Sequence, residues 1–262
     1  LKILFEVSLL MKKININMNE ATVIKLNQMN LKGMCNAFKS TIENGNVDRY
    51  TIDQMVSILV DAEWDDRHNR RIERSIKNAK FHYKANIESL NFDSSRSLDR
   101  TQILRLADCE FVNKNQNVLI TGSTGVGKSY LGTALGYQAC IEGYKVSYFN
   151  TSKLFARLKM AKADGSYLKE LAKLERQDVI ILDDFGLQAL DSQNRITLLE
   201  IIEDRHNNGS IIVTSQIPVQ GWYDIIGEKT IADAILDRLI HNAHRIELQG
   251  ESMRKKRSKN ND

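Results

Sequence analysis

At 262 residues the chain has room for one large domain, or a medium domain with a small companion, and its 42% hydrophobic content supports a sizeable core and excludes wholesale disorder. The net charge of +4 is too small to imply a nucleic-acid partner by itself, so the distribution of charge has to decide. Nothing approaches eighteen consecutive apolar residues, which excludes a spanning helix, and the three cysteines (Cys35, Cys109, Cys140) have no paired spacing, which argues against a disulfide framework or zinc site and fits a reducing cytoplasm.

The leading stretch Leu1–Leu10 is apolar but carries Lys2 and Glu6, and no small-residue cleavage site follows it. It reads as part of an extension over residues 1–17, with Met11 an alternative start; a secretion signal is the weaker reading. Residues 18–92 read as a helical domain. Val23, Leu26, Met29, Met34, Ala37 and Phe38 follow a helical period, with a break or bend expected at Gly33. Asn44-Gly45-Asn46 signals a turn. A second helix is expected from Thr51, with Met55, Ile58 and Leu59 on one face, running on or restarting through Trp64 to Lys84. The polar, Ser/Asp-rich stretch 91–100 marks the boundary with a second domain over 93–251.

From residue 101 the pattern alternates. Apolar runs at Val118–Thr121, Lys145–Phe149, Val179–Leu182, Ile211–Thr214 and Arg245–Leu248 are separated by helix-period segments. That is the signature of a parallel α/β sheet covered on its faces by helices. The single proline, Pro218, leaves the helices uninterrupted. Residues 252–262 are a polar, basic tail.

Gly122, Ser123, Thr124, Gly125, Val126, Gly127, Lys128 and Ser129 spell the P-loop pattern, between strand-like Asn117–Thr121 and helix-like Tyr130–Ile141. A nucleoside triphosphate carries several negative charges. Glycines let successive backbone N–H groups turn inward as an anion nest, and the following helix aims its partial positive end at the same place. Lys128 can reach the β- and γ-phosphates, and Ser129 can give Mg²⁺ an oxygen. Tyr130, next in line, completes the candidate nucleotide-contacting set.

Val179–Asp184 is four apolar residues followed by two acids, a buried strand delivering carboxylates to its C-terminal end, where open α/β sheets place ligands. Asp183 can hold Mg²⁺, usually through water, and Asp184 can orient or deprotonate an attacking water. A solvated Asp-Asp turn is the alternative. Ile211–Gln216 is another apolar strand with a polar end. If it lies between the other two, Gln216 or Ser215 faces the γ-phosphate; ordinary strand-end capping gives the same sequence.

Between Trp64 and Lys84, seven basic residues stand against three acids. On a helix, Arg67, Arg70, Arg71, Arg74 and Lys77 fall largely on one side. Such a stripe can neutralise phosphates without reading bases, although a solvated helix face looks the same. No helix-turn-helix or zinc signature points to sequence-specific readout. Trp64 and Trp222 are expected as core anchors, and His241 and His244 as surface or packing residues.

These residues, taken together, resemble the AAA+ ATPases, and within them the IstB transposition helpers, relatives of the DnaC helicase loaders. The resemblance runs from about Met29 to Arg254. It is carried by Glu63-Trp64, Asn69-Arg70-Arg71, Leu98-Asp99-Arg100, the P-loop with its strand, Ala163–Tyr167, Leu182–Gly186, Thr214-Ser215-Gln216, Ala232–Leu239 and Gly250–Arg254. It implies an AAA+ core of five parallel strands beside a small all-helical N-terminal domain, with no room for the usual C-terminal lid. Walker A falls on Gly122–Ser129, Walker B on Asp183 and Asp184, where relatives more often carry Glu second, and sensor 1 on Gln216, where many carry Asn. Arg238 matches the arginine that reaches ATP on a neighbouring subunit; a salt bridge to Asp237 or Glu247 is the alternative. Arg205 and Arg254 are weaker candidates for that interface. Ile103, Leu104 and Phe111 either line the adenine pocket or pack in the core. The implied activity is slow, stimulated ATP hydrolysis with Mg²⁺, in a homo-oligomer on duplex DNA that directs the transposase of the same element. A helicase loader, and a DNA scaffold that binds ATP without functional turnover, are the rivals.

Overall fold

A computed structural model describes residues 18–45, 49–93 and 96–253. The leading segment 1–17, Asn46 of the expected turn and the basic tail from Arg254 onward lie outside the described residues. The chain divides into two compact units, one ending at Glu73 and the other beginning at Arg74.

The first unit holds helices α1 (residues 18–28), α2 (Lys32–Glu43) and most of α3 (Ile52–Ala79). The first break falls at Asn30, which takes the left-handed conformation with φ 60°. Gly33, where the sequence suggests the bend, lies inside α2 and serves packing: a Cβ there would sit 2.2 Å from the carbonyl oxygen of Ala62. Only glycine lets α2 and α3 approach this closely. Beside that contact Glu63, 6% exposed, accepts from the Met34 N–H at 3.2 Å and from Arg67 Nε at 2.7 Å. It thereby caps the first turn of α2, which has no side-chain cap at Leu31. Burial pushes the Glu63 carboxyl up, but these two donors outweigh it and hold its pKa below the ordinary value. Trp64 is 73% exposed, not the expected anchor. It sits one residue, and so about 100° of helix, away from the inward-turned Glu63.

In the second unit α3 stops at Ala79, short of the expected Lys84, and Lys80 turns the chain with φ 57°. Ala85, Ile87 and Leu90 then bury themselves in one core with Ala79, Leu98, Val118 and Ile120. The composition shift near residue 92 is therefore not where the compact units divide, because the apolar residues before it belong to the second core. The remaining elements are α4 (Arg100–Ala107), α5 (Glu110–Asn113), β1 (Asn117–Gly122), α6 (Lys128–Ile141), β2 (Val146–Asn150), α7 (Thr151–Asp164), α8 (Tyr167–Glu175), β3 (Val179–Phe185), α9 (Ser192–Arg205), β4 (Ser210–Ser215), α10 (Trp222–Ile226), α11 (Lys229–Ile240) and β5 (Ala243–Leu248).

All five expected strands are present and form one parallel sheet in the order β2-β3-β4-β1-β5. Side chains alternate between faces, so Val118, Ile120, Val179 and Ile181 feed one core while Leu119, Ile180 and Leu182 feed the other. Helices cover both faces, which is why the strands read as continuous apolar runs. Trp222 is fully buried and meets Phe185 edge-on, centroids 4.9 Å apart, a contact worth about 0.5–1.5 kcal/mol beyond its area. Among the described residues no helical domain follows β5, and no helix is long and apolar enough to cross a membrane.

Candidate nucleotide site

The sheet order places β4 between β1 and β3. The registers Thr121↔Ser215 and Asn150↔Asp183 bring the loop after β1, the acids of β3 and the residue after β4 to one end of the sheet. The loop Gly122–Gly127 needs its glycines: Gly125 and Gly127 hold φ of 85° and 98°, conformations costly for any residue with a Cβ. Gly127 leads directly into α6 and supplies no side-chain cap, so the first-turn N–H groups of that helix are available to an anion. Lys128 is 6% exposed, and its Nζ donates to the Ser123 carbonyl at 2.8 Å. Ser129 and Tyr130 follow in the first turn of α6, both partly exposed. The Tyr130 ring stacks on Tyr83 at 6.2 Å with planes 12° apart. Ser123 and Thr124 form the exposed rim.

The two acids are held differently. Asp183 is 4% exposed; Tyr148 and Thr214 each donate a hydroxyl to its carboxylate. Burial first, and the Asp183 carboxylate second, push the Tyr148 hydroxyl well above its ordinary pKa, so it stays a donor. Asp184 takes the left-handed conformation at φ 58°, where the β3–β4 register shifts, and accepts from Asn150 Nδ2 at 3.2 Å. Gln216 accepts from Thr124 Oγ1 at 2.7 Å, tying the end of β4 to the loop. An uncapped helix start, a buried ammonium and two adjacent carboxylates at the same end of the sheet suit a nucleoside triphosphate and a hard cation.

Two participants escaped the sequence reading. Tyr148 becomes visible only once β2 is known to flank β3. Arg96 sits in a segment that reads as a solvated boundary, yet it is 7% exposed and donates to the Val126 carbonyl at 2.6 Å.

The remaining expected residues lie elsewhere. Arg238, in the last turn of α11, pairs with Glu203 at 3.3 Å rather than with Asp237 or Glu247. Its own carbonyl accepts from Asn117 at the start of β1, the opposite end of the sheet from the loop. Six strand residues, about 17–20 Å, separate the two ends. Arg205 is not placed at an interface: it is 2% exposed, and its guanidinium donates to the carbonyls of Leu174, Gln177, Asp178 and Ser210 at 2.9–3.0 Å. Burial pulls its pKa down to about 10. Arg254 lies outside the described residues. Ile103 and Phe111 are core residues, 0% and 1% exposed, while Leu104 is 48% exposed. His244 meets Gln116 Oε1 at 2.9 Å, a packing role, and His241 is exposed.

On α3, Arg67 is bonded to Glu63, and Arg70 pairs with Asp66 at 2.5 Å and with Glu63 at 3.7 Å. Arg71, on the same unit, is exposed, as are Arg74 and Lys77 on the continuation of the helix.

The chain is 43% identical over 234 residues to the insertion sequence ATP-binding protein y4pL of Sinorhizobium fredii, covering 89% of this chain and 96% of that one. In fold it is similar to the DnaC helicase loader (TM-score 0.52, 24% identity, 65% of this chain and 100% of that one). It is also similar to AMPPCP-bound DnaA from Aquifex aeolicus (TM-score 0.54, 18% identity, 70% of this chain and 56% of that one). These likenesses show an AAA+ P-loop fold. The model of the IstB-like ATP binding proteins matches residues 24–261, nearly the whole chain. The chain therefore belongs to the IstB-like ATP-binding protein family.

Proposed function

We propose that the protein is an ATP-dependent, DNA-binding transposition helper: a slow ATPase, acting in the cytoplasm, that assembles as a homo-oligomer on duplex DNA and directs the transposase of its own insertion sequence to target DNA. The observation that carries this reading is the convergence of the Lys128 loop, Asp183–Asp184 and Gln216 at one end of the sheet, in a chain matched to the family from residue 24 to 261. The loop N–H groups and Lys128 bind the phosphates of ATP. Ser129 and Asp183 would hold Mg²⁺, Asp183 through water; the ion would screen phosphate charge. Asp184 holds or removes a proton of the attacking water, and Gln216 orients that water. Arg238 cannot reach its own loop from the far end of the sheet, so it acts on nucleotide bound by a neighbouring copy. That links turnover to assembly.

ATP then works as a population shift, binding the assembled state more tightly than the free one. The exposed cations of α3 supply sequence-independent contact with DNA, and many copies sum weak contacts along a duplex. The relative y4pL carries the insertion sequence in its name, which favours a transposase partner over the replicative helicase of a loader.

Electron microscopy of the protein with long duplex DNA, with and without ATP, tests the reading. Ordered assemblies are expected with ATP on duplex DNA, and Lys128→Ala is expected to lose them. Single copies under every condition, or assemblies confined to single strands, would reject it; the second result would favour the loader.

A further inference from the structure

Arg96 lies in a polar stretch, Asn91 to Arg100, yet its side chain is nearly enclosed, 7% exposed. Its Nη1 donates to the Asn91 carbonyl at 2.5 Å and its Nη2 to the Val126 carbonyl at 2.6 Å. Its own carbonyl accepts from the Gln249 N–H at 3.1 Å, just past β5. One guanidinium thus joins the boundary segment to the phosphate loop, and its backbone is tied to the chain just past β5, whose last residue Leu248 pairs with Gly122 at the start of that loop.

The planar trans peptide fixes the consequence. A carbonyl and the N–H that follows it point in opposite directions. With the Val126 carbonyl held on Arg96, the Gly127 N–H is turned away from the arginine. The preceding peptide is held in the same manner: the Met253 N–H donates to the Gly125 carbonyl at 2.9 Å, which turns the Val126 N–H away from Met253. Among the described residues, neither of these two N–H groups has a protein acceptor. Successive N–H groups left open in a loop with alternating left-handed glycines are what an anion nest consists of. The guanidinium also packs on bare backbone: a Cβ at Gly127 would lie 2.9 Å from Nη2.

The geometry points to Arg96 as a positioning residue for the nucleotide phosphates, acting through the Val126–Gly127 peptide and not by touching the ligand. This rests on the nucleotide reading above. It also explains the residue type. A planar fork presents two separate nitrogens to two carbonyls in a fixed geometry, whereas the ammonium of lysine is one compact donor centre on a flexible stem.

The test uses the full chain, with ADP titrated into the wild type, Arg96→Ala, Arg96→Lys and Lys128→Ala, and with amide exchange of residues 122–130 followed with and without ADP. Arg96→Ala is expected to weaken ADP at least tenfold and to lose the ADP-induced protection of the Val126 and Gly127 amides, with far-UV circular dichroism unchanged. Arg96→Lys keeps charge and stem, guards against a failure of the alanine variant to fold, and is expected to weaken ADP severalfold. ADP affinity within twofold of wild type in either folded variant, or undiminished amide protection, would overturn the role of Arg96 while a loss in Lys128→Ala left the nucleotide site standing. A wild type that binds no ADP would overturn both.

Discussion

Asp183 and Asp184 are adjacent in sequence but chemically distinct. Asp183 is buried and receives two hydroxyls, from Tyr148 and Thr214. Its carboxylate is fixed in place by them, which suits the cation-holding role proposed for it. Asp184 is partly exposed, stands where the strand register shifts, and is bonded by the amide of Asn150. Its left-handed backbone, tolerated by aspartate better than by most residues, lifts it out of the ladder. A residue so placed suits handling of water rather than binding of phosphate. Asp184→Asn keeps the shape and the bond geometry but removes the proton acceptor, so nucleotide affinity should stay within about twofold while turnover falls by roughly 10²–10⁴. Fluorescent-nucleotide binding and phosphate release, measured on the same preparation, separate the two effects. Parallel losses in both would assign Asp184 to binding instead.

Helix α3 shows why a row of basic residues does not translate into equal contacts. Arg70 already spends its guanidinium on Asp66 and Glu63, whereas Arg71 and Arg74 are exposed. If this helix tracks the phosphates, Arg71→Ala and Arg74→Ala should each lower the salt slope of duplex binding by about 0.9, and Arg70→Ala by less. Filter-binding or anisotropy titrations across a range of salt give that slope directly; equal slopes for all three variants and wild type would remove α3 from the DNA surface. The period that revealed these helices, and the apolar runs that revealed five strands, are local signals; the structure keeps four of the strands within two residues at either end, while β3 runs three residues further and α3 stops five short of Lys84. So is the loop from Gly122 to Ser129, since its chemistry needs contiguous residues. What stayed hidden is long-range. Gly33 looks like a break because glycine signals both bends and close packing, and the contact with Ala62 that decides between them is 29 residues away. Arg205 looks like an interface arginine until four carbonyls from other parts of the fold close around it. Residues 80–90 look helical because the apolar residues that help to build the second core, Ala85, Ile87 and Leu90, are the same types that would line a helix.

At the scale of the whole molecule, the sheet itself separates Arg238 from the loop and the acids to which turnover is assigned in the proposal above. The loop and both acids stand at one end, and Arg238 stands at the other, beside the start of β1. No side-chain rearrangement spans about 17–20 Å of strand, so any action of Arg238 on ATP requires a second copy in a head-to-tail contact. Its pairing with Glu203, partly exposed to solvent, is of the kind worth at most about 1 kcal/mol and so is readily exchanged for a phosphate. Arg238→Ala should therefore leave nucleotide affinity at low protein concentration untouched. It should remove the rise of turnover with concentration, by a factor of up to roughly 10³–10⁵ if the arginine acts as a finger in trans. Mixing gives the sharper result. A copy with Arg238→Ala still carries Asp184, and a copy with Asp184→Asn still carries Arg238. Each preparation alone should be nearly inactive, yet an equimolar mixture should recover about a quarter of wild-type turnover, the share of head-to-tail contacts that pair an intact acid with an intact arginine. A mixture as inactive as its components would place Arg238 within its own subunit's structure and leave the coupling of hydrolysis to assembly without a carrier.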